Sequence, residues 1–458
     1  MKYVSTRGAA PTIGFTDVML EGLASDGGLY VPENWAALHA DRSSHYATLA
    51  AQIVALYAGE ELTEDEIKQL CDRAYATFRH SAVVPLVQYG DDQWLMELFH
   101  GPTLAFKDVA LQLLGQMFDH VLAKRSQRLT IVGATSGDTG SAAIDGVRNC
   151  ENIDIVILYP HGRVSDVQRR QMTTVDSPNV HTVAIDGTFD DCQDLVKAMF
   201  NDAAFREKHS LSAVNSINWV RVMAQVVYYV HACDALGGQP VTFSVPTGNF
   251  GNVLAGWIAK QMGASVDRLI VGSNSNDILT RFFDTQAMTT TSVTPTLSPS
   301  MDIQVSSNFE RLLFEMNGRD GGVTAEQLAR FRQSGNLAVE PDQYAKWIAP
   351  VFAAASVDDA GTLEVMARMH RECDMLVDPH TAVGLGATDA RRLEGETVVT
   401  LATAHPAKFP DAVRKATGQH AQLPDHLADL FQREERTTRL PNDLAQVQQF
   451  VASVSASK

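Results

Sequence analysis

Basic residues are in short supply in this chain: 37 Lys and Arg face 54 Asp and Glu, a formal charge of −17. That balance provides no basic face for nucleic acid or an anionic membrane surface. Cysteine is scarce as well. Cys71, Cys150, Cys192, Cys233 and Cys373 are scattered, odd in number and form no CxxC. They therefore imply neither a disulfide framework nor a zinc site, and fit small apolar residues in a reducing compartment. No run of ~18 apolar residues occurs, and the opening Met1-Lys-Tyr-Val-Ser-Thr-Arg7 has no apolar core of a signal segment. These absences predict a cytoplasmic protein with no nucleic-acid, membrane or metal partner. The length of 458 residues suffices for two or three domains with real cores.

The periodicity then divides the chain. Residues 1–92 predict a mainly helical region, with helical spacing at 17–23 and 46–57 and a capping-box pattern, Thr63-Glu-Asp-Glu66, before 67–78. From 93 onward short apolar runs at 129–132, 153–159, 180–185, 241–245 and 269–271 alternate with amphipathic stretches of helical length. Such alternation predicts an α/β fold: two open, mainly parallel twisted sheets flanked by helices. We expect a smaller α/β domain over 93–210 and a larger one over 211–305 and 376–458. A helical insertion is expected at 306–375. The Thr-, Ser- and Pro-rich stretch 284–305 is a long loop, of the kind that often carries function.

Three segments carry chemistry. In His100-Gly-Pro-Thr-Leu-Ala-Phe-Lys107-Asp108 a lysine opens a helix whose stripe is Ala110, Leu113, Leu114, Met117, Phe118, Val121 and Leu122. Asp108 is the expected cap. A lysine at the positive end of a helix, walled by Leu104 and Phe106, is biased toward the neutral amine needed for a Schiff base with a carbonyl cofactor. The plain alternative is an exposed lysine at a helix start.

Second, two strands run into glycine-rich turns that open helices: Gly133-Ala-Thr-Ser-Gly-Asp-Thr-Gly140 and Pro246-Thr-Gly-Asn-Phe-Gly-Asn252. Amides at such helix starts bind anions, although each turn alone is equally a structural connection. One suits a cofactor phosphate and the other an anionic group of a substrate.

Third, Thr403-Ala-His-Pro-Ala-Lys408 lies at the carboxyl end of the last strand. Thr403 offers a neutral hydroxyl where a ligand ring could end. His405 fits a satisfied structural group. Lys408 is the rival imine lysine but lacks a helix-start setting. Asn215-Ser-Ile-Asn218-Trp-Val-Arg221 could supply amides and a guanidinium to an anion, or simply a Ser216 cap and an ion-paired arginine. Asp378-Pro-His380 is expected only to support the site.

On these motifs the chain resembles the threonine synthases, pyridoxal-phosphate enzymes of the tryptophan-synthase-β structural class. Tyr3-Val-Ser-Thr-Arg-Gly8, Asp26-Gly-Gly-Leu-Tyr-Val-Pro-Glu33, Ser298-Pro-Ser-Met-Asp-Ile303 and Thr403-Ala-His-Pro-Ala-Lys-Phe409 add to the resemblance. It implies that Lys107 carries pyridoxal 5′-phosphate and acts as the catalytic base. Gly248, Asn249, Phe250, Gly251 and Asn252 would hold the cofactor phosphate, and Thr403 would face the pyridine nitrogen. Thr135, Ser136, Gly137, Asp138 and Thr139, with Asn215, Asn218 and Arg221, would hold the carboxylate and phosphate of O-phospho-L-homoserine. The implied reaction is γ-elimination of phosphate and β-hydration to L-threonine, by a monomer or small homo-oligomer. The competing readings are a phospholyase or serine/threonine dehydratase-like lyase, and a non-catalytic binding protein on the same scaffold.

Overall fold

The computed structural model describes residues 1–213 and 215–455. Two twisted sheets organise it. The larger has six strands in the order Phe352–Ser356, Val266–Ser273, Val241–Pro246, Val398–Ala402, Gln93–Glu97 and Leu86–Gly90, parallel except for the last pair. The smaller has five parallel strands, ordered Thr438–Pro441, Val180–Asp186, Ile153–Pro160, Leu129–Ala134 and Leu211–Ser212. The central strands read as unbroken apolar runs because helices cover both faces; Ile153–Pro160 is buried along its whole length. The α/β class and the two-sheet plan are thus as expected.

The strands divide differently from the expected domain ranges. Gln93–Glu97 joins the larger sheet, not the smaller unit expected to begin at 93. Thr438–Pro441 crosses back to edge the smaller sheet, although 376–458 was assigned to the larger one. The stretch 306–375 is not purely helical: Asn336–Ala338 pairs with Ala287–Thr289, and Phe352–Ser356 edges the larger sheet. Strands of three to five residues with mixed burial carry little period-2 signal, so non-local pairing decided them.

The first 92 residues hold three helices, Phe15–Glu21, Tyr46–Ala58 and Glu64–Tyr75, plus a small antiparallel sheet of Ile13–Gly14, Lys2–Ser5 and Tyr30–Pro32. The capping box at Thr63 and Glu66 is present. That small sheet docks on the helix Phe309–Met316, where Thr6 Oγ1 donates to Glu310 Oε1 at 2.6 Å and Arg7 pairs with Glu310 at 2.9 Å. Arg311, fully buried, donates to the carbonyls of Tyr30 and Ile217 and to the Asn308 side chain. The insertion therefore fastens the N-terminal region to the start of the long buried helix Trp219–Ala235.

One contact sets the spacing of the site. The helix Lys107–Arg125 crosses the helix Asp138–Val147 where Gly115 meets Gly146. A Cβ at position 115 would lie 1.9 Å from the Gly146 carbonyl oxygen, and one at 146 would lie 2.6 Å from that of Leu111. Only two missing side chains allow backbones this close, and the two helices start at Lys107 and Asp138.

Candidate active site

Three strands, Leu129–Ala134, Val241–Pro246 and Val398–Ala402, end toward the start of the Lys107 helix, as ligand clefts of open α/β sheets require. Residues 104–106 run antiparallel to 403–405. Phe106 N donates to the Thr403 carbonyl at 2.8 Å, His405 N donates to the Leu104 carbonyl at 3.0 Å, and Ala105 bridges Ala404. This short ladder brings Lys107, Thr403 and Lys408 together from positions about 300 residues apart in sequence.

Lys107 is the first residue of its helix and is 8% exposed. Asp108 is not the cap: it lies inside the helix, fully buried, and accepts from Thr103 N at 2.8 Å and Thr103 Oγ1 at 2.6 Å, bracing the preceding turn. Burial pushes the Asp108 carboxyl up to about 7. The Lys107 Nζ reaches Asp138 Oδ2 at 3.1 Å and Ser300 Oγ at 3.4 Å, and lies 5.1 Å from the Phe106 ring centre. Burial holds the Lys107 ammonium below its ordinary range, helped by Lys408 and Arg221 and opposed by Asp138. The exposed-lysine alternative is excluded.

Asp138 opens its own helix from Gly137, whose φ of +141° is accessible to glycine and not to L side chains. Its carboxylate is the hub of the cluster. Oδ2 takes Lys107 and Ser300; Oδ1 takes Lys408 Nζ at 2.9 Å and Gln168 Nε2 at 2.9 Å. Burial opposes ionisation of Asp138, but Lys107, Lys408 and His380 outweigh it and hold the carboxyl well below the usual range. The loop itself is braced by Thr135 Oγ1, which accepts from Gly137 N at 3.0 Å and Gly140 N at 2.9 Å. Two amides expected to meet an anion are thus committed to Thr135. Those of Asp138 and Thr139, in the first helical turn, have no intrahelical acceptor, and Ser136 and Thr139 stay partly accessible.

The second turn is shaped by Phe250 at φ +61° and opens the helix Gly251–Gln261. A Cβ on Gly248 would lie 3.1 Å from both Met301 Cα and the Ser300 carbonyl oxygen, so the turn is closely covered by the Pro299–Met301 segment. Asn308 N donates to the Asn249 carbonyl at 3.1 Å, and Ser306 Oγ donates to that of Gly248. Asn252 does not cap the helix: Tyr228 and Tyr229 hydroxyls donate to its Oδ1, while its buried Nδ2 has no partner among the described residues.

Asn215 lies partly buried beside this turn, with its Oδ1 taking Ile217 N at 3.1 Å. Asn218 is corrected from substrate contact to structural cap. It is fully buried, its Oδ1 accepts from Val220 N at 2.9 Å, and its Nδ2 donates to the Met19 carbonyl at 2.9 Å. It, rather than Ser216, starts the helix Trp219–Ala235. Arg221 follows within the first turn, 4% exposed, with Nε and Nη1 unpartnered among the described residues. Burial alone lowers its guanidinium to about 10. Among the described residues no ion pair satisfies it, so a purely structural explanation of this arginine fails and an anionic ligand is called for.

Thr403, 5% exposed, is held by Thr381 Oγ1, which accepts from Thr403 N at 3.2 Å and donates to Asp378. The same Asp378 takes His380 Nδ1 at 2.7 Å, and His380 Nε2 accepts from Ser300 N at 3.3 Å. Asp378 thereby orients both Thr403 and the Ser300 turn. The sequence motifs do not single out Ser300 or Gln168. Ser300 had a signal, the long loop and the Ser298–Ile303 motif; Gln168 had none, standing on an ordinary amphipathic helix, Asp166–Thr173. Lys408, from the sequence only a rival to Lys107, shares that lysine's counter-ion.

His405 is the structural group expected. Its Nδ1 accepts from Ala407 N at 3.2 Å and caps the turn Pro406–Lys408. Burial, then His100, lowers the imidazole to about 4. A neutral histidine in the fold is protonated more readily in the unfolded chain, so its contribution is present above about pH 6.5 and fades as pH falls toward 4. The expected loss is about 3 kcal/mol. Denaturant unfolding at about pH 7 and about pH 4.5 checks it: His405→Asn, which keeps the cap acceptor, should lose less stability on acidification than the parent. Equal losses would refute the assignment.

The residues fit a phosphorylated carbonyl cofactor: a closely covered glycine turn where a Cβ on Gly248 or Gly251 would be crowded at 3.1 Å, a buried Asn252 amide donor without a partner among the described residues, and a desolvated lysine. Among the described residues no helix is long and apolar enough to cross a membrane. Comparison with known proteins agrees. Family models match over residues 2–75 (threonine synthase N terminus), 83–335 (pyridoxal-phosphate dependent enzyme) and 381–451 (threonine synthase, C-terminal). The threonine synthase of Pseudomonas aeruginosa is 53% identical, over 99% of this chain and 98% of its own. The crystal structure of PLP-bound threonine synthase from Brucella melitensis superimposes with a TM-score of 0.97 at 48% identity, covering 100% of both chains. That of yeast threonine synthase gives 0.93 at 38%, covering 99% and 98%. With the lysine, the cradle and the fold in agreement, the chain belongs to the threonine synthase family of pyridoxal-phosphate-dependent lyases.

Proposed function

We propose that this enzyme converts O-phospho-L-homoserine and water to L-threonine and phosphate. The observation that carries the reading is the buried guanidinium of Arg221, whose Nε and Nη1 have no partner among the described residues and whose charge bears on the Lys107 amine. An amino-acid carboxylate alone would be met by the helix start at Asp138; a second anionic group on the substrate gives Arg221 its counter-charge.

Lys107 would bind the cofactor, the amides of Gly248, Asn249, Phe250, Gly251 and Asn252 its phosphate, and the Thr403 hydroxyl would face its pyridine nitrogen. Pyridoxal phosphate supplies an electron sink there, accepting the charge left when a proton leaves the substrate. A hydroxyl at the ring nitrogen leaves that nitrogen uncharged. Thr135, Ser136, Gly137, Asp138 and Thr139 form the loop that receives the substrate carboxylate, with Asn215 and Arg221 on the phosphate side. Lys107 Nζ, as the free amine, takes the proton from Cα and serves again as protons move at Cβ and return. Asp138 and Ser300 fix that nitrogen in place. Burial of the whole cluster excludes bulk water, so that positioning provides much of the rate.

Incubation with O-phospho-L-homoserine should release phosphate and L-threonine in equal amounts. Phosphate release accompanied by a ketoacid, with no threonine, would identify a phospholyase instead. Ketoacid from serine or threonine with no phosphate release would identify a dehydratase.

A further inference from the structure

Lys408 has no task in the mechanism above, yet it is the better buried of the two lysines at the site, with 0% exposure against 8% for Lys107. Its Nζ donates to the Thr103 carbonyl at 2.7 Å and pairs with Asp138 Oδ1 at 2.9 Å. Lys107 sits on the other oxygen of the same carboxylate at 3.1 Å. Two cations thus share one buried anion. We propose that Lys408 is a positioning residue whose charge neutralises Asp138, so that Lys107 can lose and regain its proton without leaving a buried charge unpaired.

The geometry argues this in two steps. With Lys107 alone, Asp138 would hold it as a permanent ammonium, because separating a buried pair leaves both charges uncompensated. An ammonium can neither join a carbonyl carbon nor remove a proton. With Lys408 on the second oxygen, Asp138 is already paired, and Lys107 becomes the member whose charge is optional. The other groups facing the cluster do not substitute for Lys408. Gln168 and Ser300 are neutral donors to Asp138. His380 is committed to Asp378 and the Ser300 amide. Arg221 acts on Lys107 only through its charge and makes no ion pair with Asp138. His405 approaches Lys408 but is held neutral. The arrangement depends on the fold: Lys408 rides on a turn capped by His405, and Asp138 on a helix held by the Gly115–Gly146 contact.

The inference rests on Lys107 being the cofactor lysine. Its test is cofactor capture by the full-length enzyme after removal of the cofactor, followed by the growth of its visible band across about pH 6 to pH 9. Capture joins Nζ to the aldehyde carbon with loss of one water, and it needs the unprotonated amine. Lys408→Met should move the pH midpoint of capture upward, slowing capture at about pH 7 by about tenfold per unit of displacement. Asp138→Asn, which removes the anion, should not slow capture there, and the double variant should return toward the parent. An unchanged or lowered midpoint in Lys408→Met overturns the proposal. If that variant does not fold, slowed capture by Asp138→Asn at about pH 7 overturns it equally, and unslowed capture upholds it. Borohydride trapping followed by mass analysis separates the two levels. A parent enzyme with no adduct on Lys107 defeats the reading on which this rests, whereas an adduct there with unaltered pH dependence defeats only the role of Lys408.

Discussion

Replacing Lys107 with alanine is expected to lower threonine formation by about 10⁴-fold or more, because in the proposed mechanism one amine would provide both the cofactor linkage and the moving proton. The visible cofactor band should disappear as well. The fold should survive. Asp138 keeps Lys408 and Gln168 on one oxygen and Ser300 near the other, so removing Lys107 does not strand a buried carboxylate. The variant should therefore unfold at a denaturant concentration close to that of the parent. Residual activity within about tenfold of the parent would refute the role of Lys107, since no other group at the site could combine both tasks. Restoration of the band by added cofactor would point to Lys408 as the attachment point, which mass analysis would locate directly.

Gly115→Ala should also be costly, through stability rather than chemistry. Its Cβ would be placed 1.9 Å from the Gly146 carbonyl oxygen and 2.7 Å from that residue's carbonyl carbon. Both atoms are backbone, so no rotamer relieves the overlap and the helices must separate. Overpacking of this kind costs about 3 kcal/mol or more. Separation would also move Lys107 from Asp138, since each begins one of the two helices, so activity should fall even at temperatures where the variant stays folded. Gly322→Ala is the matched control. It lies exposed in the helix Gly321–Ser334, and its Cβ would meet nothing nearer than Asp320 Oδ1 at 3.4 Å. That change should be neutral or slightly stabilising. Thermal unfolding of the pair, with turnover measured well below both transitions, checks the prediction. Similar midpoints for Gly115→Ala and Gly322→Ala would show that the helix crossing is not the constraint described here.

Much of this was legible in the residues. The alternation of apolar runs with helical stripes predicted the parallel sheets, and the glycine-rich turns predicted helix starts at the ends of strands. Lys107 could be singled out because its neighbours Leu104 and Phe106 and its position at a helix start are local facts. Other features were misjudged for want of partners. Asp108 looked like a cap and braces Thr103; Asn218 looked like a ligand contact and caps a helix. In each case a short polar side chain can satisfy several local geometries, and the neighbour that selects one lies far away in sequence.

From the chain alone came whatever depends on nearest neighbours: the α/β class, the glycine turns, the capping box at Thr63 and the helix-start setting of Lys107. Tertiary structure alone decided the strand exchange between sheets, the Gly115–Gly146 approach and the sharing of Asp138 by Lys107 and Lys408. Backbone propensity and side-chain periodicity act over a few residues and can be read in order. A buried carboxylate's counter-ions are chosen by Coulomb attraction through space, and here the two come from positions 31 residues before it and 270 after it.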